Sequence, residues 1–264
     1  MDQIVNTTKP APNSLPGFYE PAHTIELSND NKIETIDGID FDDAFIIKNV
    51  LSSEDCQKLI EFMHTSNNFE DVGVQGMMDK KDERIGSKRT SIWSPSVAEQ
   101  IWNKIDKYLP IVAPTQFTPT DWWQGKVDIN SNKSTPVPEY YPVAVSPLLR
   151  FMQYGKGGQH YAHYDAGFIY PDNNYRTLKS MVIYLTTNDG AATRFINDQQ
   201  YEAVWHRNHN DWEREVREDE IIGKSECIRG NILIFNHRVC HDVEKYMGGQ
   251  PRIIIRGDIV YKMF

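Results

Sequence analysis

The chain is poor in the features that would tie it to a membrane, a nucleic acid or an oxidised extracellular scaffold. Cysteine occurs three times in 264 residues, at Cys56, Cys227 and Cys240. An odd, scattered set with no CxxC pair makes neither a disulfide framework nor a zinc clip. No run approaches the roughly eighteen apolar residues of a membrane span. Residues 1–17 hold no apolar stretch behind a basic end, so no secretory signal is expected there. Positive charge is short as well: 28 Lys and Arg against 37 Asp and Glu leave a formal net charge of -9. Phosphate backbones are gripped by clustered Lys and Arg, so a nucleic-acid partner is not expected. The acidic residues are spread along the chain rather than gathered in a tail. No internal repeat is present. The composition suits a soluble protein of a reducing, cytoplasmic setting with no membrane partner.

What is present is enough apolar content, 39%, to bury one sizeable core, and β barrels of this length commonly form one domain. Residues 1–40, rich in Pro, Asn, Thr and Asp, read as a partly ordered extension, and 41–264 as a single domain with insertions near 66–147 and 198–225. Residues 44–50 are a short β-branched run and predict a strand. Ser52 or Ser53 caps the helix that follows, with Glu54 and Asp55 where the helix dipole favours anions. Cys56, Leu59, Ile60 and Met63 give it one buried face. Ser94 followed by Pro95 repeats the cap signal, and Ala98, Ile101, Trp102, Ile105 and Leu109 supply a second apolar face. Between the two helices, residues 71–89 are glycine-rich and charged without a clean period and read as a loop. After residue 147 the period becomes two, predicting strands over 149–154, 179–186, 231–235 and 252–261. Helices first and strands later, without βαβ alternation, imply an antiparallel β core with helices packed on one side.

Two HxD pairs occur, His163 with Asp165 and His209 with Asp211. A bare HxD is weak evidence, because eight histidines make one or so by accident. Both pairs can chelate from an extended strand, where residues i and i+2 face the same way. His209 and Asp211 lie in a polar stretch that predicts no rigid strand. His163 and Asp165 follow a strand and a glycine turn at Gly155, Gly157 and Gly158, and metal ligands need a stiff frame. Two histidines, His237 and His241, follow the strand over 231–235, and the residues alone leave both open as a third ligand. Two imidazoles and a carboxylate on one face of an iron ion leave three positions free, which oxygen-activating non-haem iron needs.

The run 154–165, tyrosine, glycines and then HxD, resembles the signature of the prolyl-4-hydroxylase-type, Fe(II)- and 2-oxoglutarate-dependent dioxygenases. Residues 180–185 and 190–195 resemble that family's next strand pair, with Ala191 and Ala192 where a glycine-rich turn is usual. Residues 230–241 resemble the strand leading to the distal histidine. Residues 252–261 resemble the last strand, which opens on the basic residue that holds the co-substrate; the family often has lysine there, one residue closer to the histidine. The resemblance covers most of 44–264 and leaves 66–147 and 198–225 unmatched. It implies a mainly β fold, a double-stranded β-helix (a cupin-like jelly roll) with helices buttressing one sheet. It also implies His163, Asp165 and His241 as the metal ligands, with His237 nearby.

By the same resemblance the cofactor is Fe(II), the co-substrates are 2-oxoglutarate and O2, and ascorbate supports turnover; succinate and CO2 leave with the hydroxylated product. Asp165 favours hydroxylation, since halogenating relatives carry a small residue there. Arg252 suits the far carboxylate of 2-oxoglutarate, because a planar guanidinium forms two parallel hydrogen bonds with it. Tyr154 is expected to add a hydroxyl to that co-substrate, and Ser180 and Thr193 are weaker candidates. Arg150 and Met152 share a strand face with Tyr154 and become substrate-binding candidates, although an ion pair between Arg150 and Asp258 is an equal alternative. Arg89 and Trp123 are further candidates for lining the substrate. The expected substrate is a free amino acid or similarly small carboxylate, as in natural-product biosynthesis. Peptidyl prolyl hydroxylation, or a metal-binding jelly roll without turnover, are the alternatives.

Overall fold

The computed structural model describes residues 33–65, 70–71, 84–112, 139–171, 174–198 and 214–263. The two α-helices among the described residues start where the sequence supplies caps. Ser52 Oγ accepts from the Asp55 backbone N–H at 3.0 Å, and Asp55 in turn accepts from the Ser52 hydroxyl at 2.9 Å, opening α1 (Ser53–Thr65). Ser94 Oγ accepts from the Val97 N–H, and Pro95 begins α2 (Pro95–Ile105) at a position that needs no N–H donor. Among the described residues, no helix is long and apolar enough to cross a membrane.

The strands are β1 (Ile33–Thr35), β2 (Ala44–Ile47), β3 (Glu70–Asp71), β4 (Arg84–Trp93), β5 (Tyr140–Val145) and β6 (Leu148–His163). They continue as β7 (Tyr175–Tyr184), β8 (Asn188–Ile196), β9 (Ile221–Cys227), β10 (Ile232–Asn236), β11 (His241–Tyr246) and β12 (Arg252–Met263). Hydrogen bonding runs β1-β2-β10-β7-β12-β6-β11-β8-β9, every pairing antiparallel. Strand β6 serves two sheets. Its first half pairs with β12 as far as Tyr154, and its second half pairs with β11 from Gly158 onward. The path therefore folds into a major sheet, β1-β2-β10-β7-β12-β6, and a minor sheet, β6-β11-β8-β9. Strands contributed alternately to two facing antiparallel sheets make a double-stranded β-helix, the jelly roll the sequence implied.

The crossover sits at the glycines. Gly157 has φ +80°, and a Cβ on Gly158 would meet the Gly155 carbonyl oxygen at 2.8 Å and that of Gly86 at 3.0 Å. The chain does not reverse there, as a glycine turn would; β6 bends and carries on to His163.

Alternation sorts the major sheet's side chains into two faces. Phe45, Phe151, Met181, Ile183, Ile232, Ile234, Ile253 and Ile255 pack outward with Cys56, Leu59 and Met63 of α1 and Val97, Ile101 and Ile105 of α2. Met152, Tyr154, Val182, Tyr184, Leu233, Phe235 and Ile254 face inward, toward Ala191, Phe195, Val243 and Tyr246 of the minor sheet. The helices thus buttress one sheet from outside. One local expectation fails in part: residues 84–89 of the expected loop are strand, since Arg84–Trp93 pairs along β6. The covered positions of β4 include Ser87 and Thr90 as well as Ile92, so its sequence lacks the apolar-polar alternation of a half-exposed strand.

Candidate metal centre

His163 ends β6, and His241 begins β11 as its direct cross-strand partner. Cross-strand partners project to the same side, and the two rings stand with centroids 4.2 Å apart. Asp165, two residues past His163, closes the triangle. Its Oδ1 is 3.9 Å from His163 Nε2 and its Oδ2 is 3.8 Å from His241 Nε2. One ligand atom from each residue lies within 4.8 Å of the others, a group that could hold a metal ion.

The local structure prepares these groups. His163 Nδ1 is 2.8 Å from the Tyr161 carbonyl oxygen, and His241 Nδ1 is 3.0 Å from that of Val239. A carbonyl only accepts, so each Nδ1 carries the proton and each Nε2 keeps its lone pair for a metal. Burial first, then the neighbouring His163, pulls His241 down to about 3, which holds it neutral at physiological pH. Burial opposes the charge on Asp165, but foremost the adjacent Arg256 guanidinium holds the carboxyl well below its ordinary range. Two neutral imidazoles and one carboxylate fit Fe(II) with open positions. His160 stacks on His163 at 3.6 Å between centroids.

Arg252 is fully buried at the start of β12, beside its partner Tyr154. Its guanidinium lies 5.1 Å from the Tyr154 ring centroid and 5.8 Å from that of Tyr184. Nη2 donates to Thr193 Oγ1 at 3.1 Å, while Nε and Nη1 find no partner among the described residues. No carboxylate there pairs with it. A buried cation without an anion is costly, and such groups are retained where a ligand supplies the missing charge. Thr193 links this cation to the metal trio: it sits on β8 two residues from Phe195, the direct partner of His241, roughly 7 Å along the strand.

The other expected residues take varied places. Ser180 donates to Asp165 Oδ2 at 2.5 Å and so steadies a carboxylate of the trio. The Tyr154 hydroxyl stands 3.9 Å from Met152 Sδ, and Met152 is buried on the same inner face. Arg150 pairs with Asp258 at 3.2 Å, the alternative weighed from the sequence. His237 Nε2 stands 3.3 Å from Asp258 Oδ1 and does not join the group of three that could hold a metal. Arg89 is half-buried and opposes Met152 across β4 and β6, which places it on the inner face. Trp123, His209 and Asp211 lie outside the described residues.

Arg256 escaped the sequence reading. Its Nη2 reaches Asp165 Oδ1 at 3.1 Å and Asp258 Oδ1 at 3.0 Å, and its Nε reaches Asp165 Oδ2 at 3.3 Å. The signal was parity: once Arg252 faces inward, residues 254, 256 and 258 do too.

Fold and centre together define a jelly roll with a His-Asp-His group that could hold a metal ion and a buried arginine in the same interior. Solved structures similar to the chain include a Pseudomonas putida prolyl-4-hydroxylase, at 14% identity over 82% of this chain and 91% of that one, TM-score 0.45. Another is a prolyl hydroxylase from Trichoplax adhaerens in complex with a hypoxia inducible factor oxygen degradation domain peptide, at 14% identity over 83% of each chain, TM-score 0.48. A third is HygX from Streptomyces hygroscopicus with nickel and 2-oxoglutarate bound, at 10% identity over 83% of this chain and 82% of that one, TM-score 0.48. No protein-family profile matches the sequence, and no curated protein matches it.

Proposed function

We propose that this chain is an Fe(II)- and 2-oxoglutarate-dependent dioxygenase that hydroxylates an unactivated C–H bond of a free amino acid or a similarly small carboxylate. His163, Asp165 and His241 hold the iron, and Arg252 takes the distal carboxylate of 2-oxoglutarate. When bound, iron and 2-oxoglutarate supply the oxidising power for O2-dependent hydroxylation, releasing succinate and CO2. The chain's own residues position and insulate. The backbone carbonyls of Tyr161 and Val239 orient the imidazoles. Ser180 and Arg256 hold the carboxylate of Asp165. Thr193 fixes one edge of Arg252, and the rings of Tyr154 and Tyr184 keep water from it.

The observation that carries this reading is the solitary charge of Arg252, buried in the same interior as the triad with two donor nitrogens unpartnered among the described residues. A metal-binding jelly roll without turnover gives that cation no purpose. The test is anaerobic loading with Fe(II), ascorbate and 2-oxoglutarate, followed by aerobic assay against an amino-acid panel. Substrate-dependent succinate and a product heavier by one oxygen support the reading. Turnover confined to proline-rich peptides assigns the chain to peptidyl hydroxylation instead. Iron uptake with no response to 2-oxoglutarate leaves only the non-catalytic reading.

A further inference from the structure

The inner face of the major sheet carries more positive charge than the reaction partners consume. Arg150 on β6 and Arg256 on β12 are direct cross-strand partners, so their side chains stand side by side on that face. Between them they have Asp258, which meets Arg150 Nη1 at 3.2 Å and Arg256 Nη2 at 3.0 Å. Arg256 also touches Asp165, but that carboxylate belongs to the metal. Ferrous iron, Asp165, doubly anionic 2-oxoglutarate and Arg252 sum to zero. Arg150, Arg256 and Asp258 then leave one positive charge unmatched among the inward-facing groups in ion-pair reach of the centre. Burial, then the charge of Arg256, pulls the Arg150 guanidinium below its ordinary value, as expected of crowded cations.

We propose that the Arg150–Arg256 pair is the binding site for an anionic group of the substrate, a carboxylate held beside the metal centre. This deepens the dioxygenase reading and rests on it. A guanidinium has five N–H donors, and Arg150 uses Nη1 on Asp258, leaving an edge to grip an incoming carboxylate. Accessibility is graded in the required direction: the Arg150 side chain is 23% exposed, Arg256 15% and Asp258 9%. Arg150 is therefore the first cation an incoming ligand meets, and Asp258 is the fixed strut behind it. Arg256 sits within 3.1 Å of Asp165, so an anion bridging the two arginines lies one guanidinium away from the metal ligand. That favours a small free acid whose carboxylate and reacting carbon are few bonds apart. A prolyl residue inside a peptide brings no charge to that depth and would leave the excess uncompensated.

The experiment uses the full chain loaded anaerobically with Fe(II) and 2-oxoglutarate. The probes are the L-amino acids, their primary amides, and a proline-rich peptide blocked at both ends. The charge-transfer band of the iron–2-oxoglutarate complex is read first; its absence removes the dioxygenase reading itself, independently of any substrate result. With the band present, succinate formation is measured for each probe. At least one free acid is expected to stimulate it, with its amide weaker by about tenfold or more, the worth of a charge-assisted hydrogen bond. Arg150→Gln should raise KM for that acid about ten- to hundredfold while leaving the affinity for 2-oxoglutarate unchanged, and Arg150→Lys should recover part of the loss. Equal turnover of amide or blocked peptide, no response to any free acid, or an unchanged KM in Arg150→Gln would overturn the proposal.

Discussion

Two arginines four residues apart on β12 live in opposite circumstances. Among the described residues, Arg252 is buried against the Thr193 hydroxyl and the Cys227 thiol with no acid, whereas Arg256 is clasped by two carboxylates. Both face the same interior, so the contrast is not one of burial. A paired buried cation holds the frame of a site: Arg256 keeps Asp165 and Asp258 apart and charged. One with no acid beside it among the described residues, set between tyrosine faces and a threonine oxygen, suits the proposed role of holding an anionic co-substrate. The proposed chemistry depends on that difference, and it can be broken at several points.

The largest effect belongs to the triad. His163→Ala, Asp165→Ala and His241→Ala should each abolish turnover and lower iron retention in equilibrium dialysis; a fully active His241→Ala would move the third ligand elsewhere. Next comes the comparison itself. Arg256→Met leaves Asp165 without its guanidinium partner and Asp258 with Arg150 alone, and should cost about 3–5 kcal/mol in urea unfolding of the metal-free protein. Arg252→Met removes a charge that nothing balances, so the same measurement should show no loss or a gain. Equal destabilisation by the two substitutions would erase the distinction.

A smaller effect is set by pH. Burial works to raise the Asp258 carboxyl, but Arg256, His237 and Arg150 outweigh it and hold it below the usual range. The folded state then binds that proton more weakly than the unfolded one. Its contribution to stability is complete above the unfolded value of about 3.9 and fades as pH falls through the folded value. Asp258→Asn should accordingly be less stable than the parent at pH 7, and the gap should narrow below about pH 4. The smallest effect is at Thr193. Thr193→Val removes one hydrogen bond from Arg252 and should weaken 2-oxoglutarate binding by about two- to tenfold, read by calorimetry.

Much of this was legible in the chain. Caps and apolar spacing located both helices, and period two located the strands that carry the centre, because those elements pack one face on the core. Strand β4 was hidden, since Ser87, Arg89 and Ser91 look into a polar site while Ile92 and Thr90 are covered from outside. The HxD pair stood out by its frame. His237 and His241 could not be separated by residue type, and their difference is topological: His241 opens β11 opposite His163, while His237 falls in the preceding turn beside Asp258. The Ser180 contact with Asp165 was not foreseen, because alternation tells which face a hydroxyl occupies, not which acceptor waits there. Arg256 was readable by parity from Arg252 but lay in an apolar run whose branched residues dominate the eye.

The most direct measurement is a 2-oxoglutarate titration of the Fe(II)-loaded protein under anaerobic conditions, comparing the charge-transfer absorption of the parent with that of Arg252→Met. The account predicts a saturable band in the parent. It also predicts equal iron content in the variant, with a band that appears only at about a hundredfold more 2-oxoglutarate, the loss expected when one partner of a buried charge pair is removed. A parent with no band, or a variant that titrates like the parent, would contradict it.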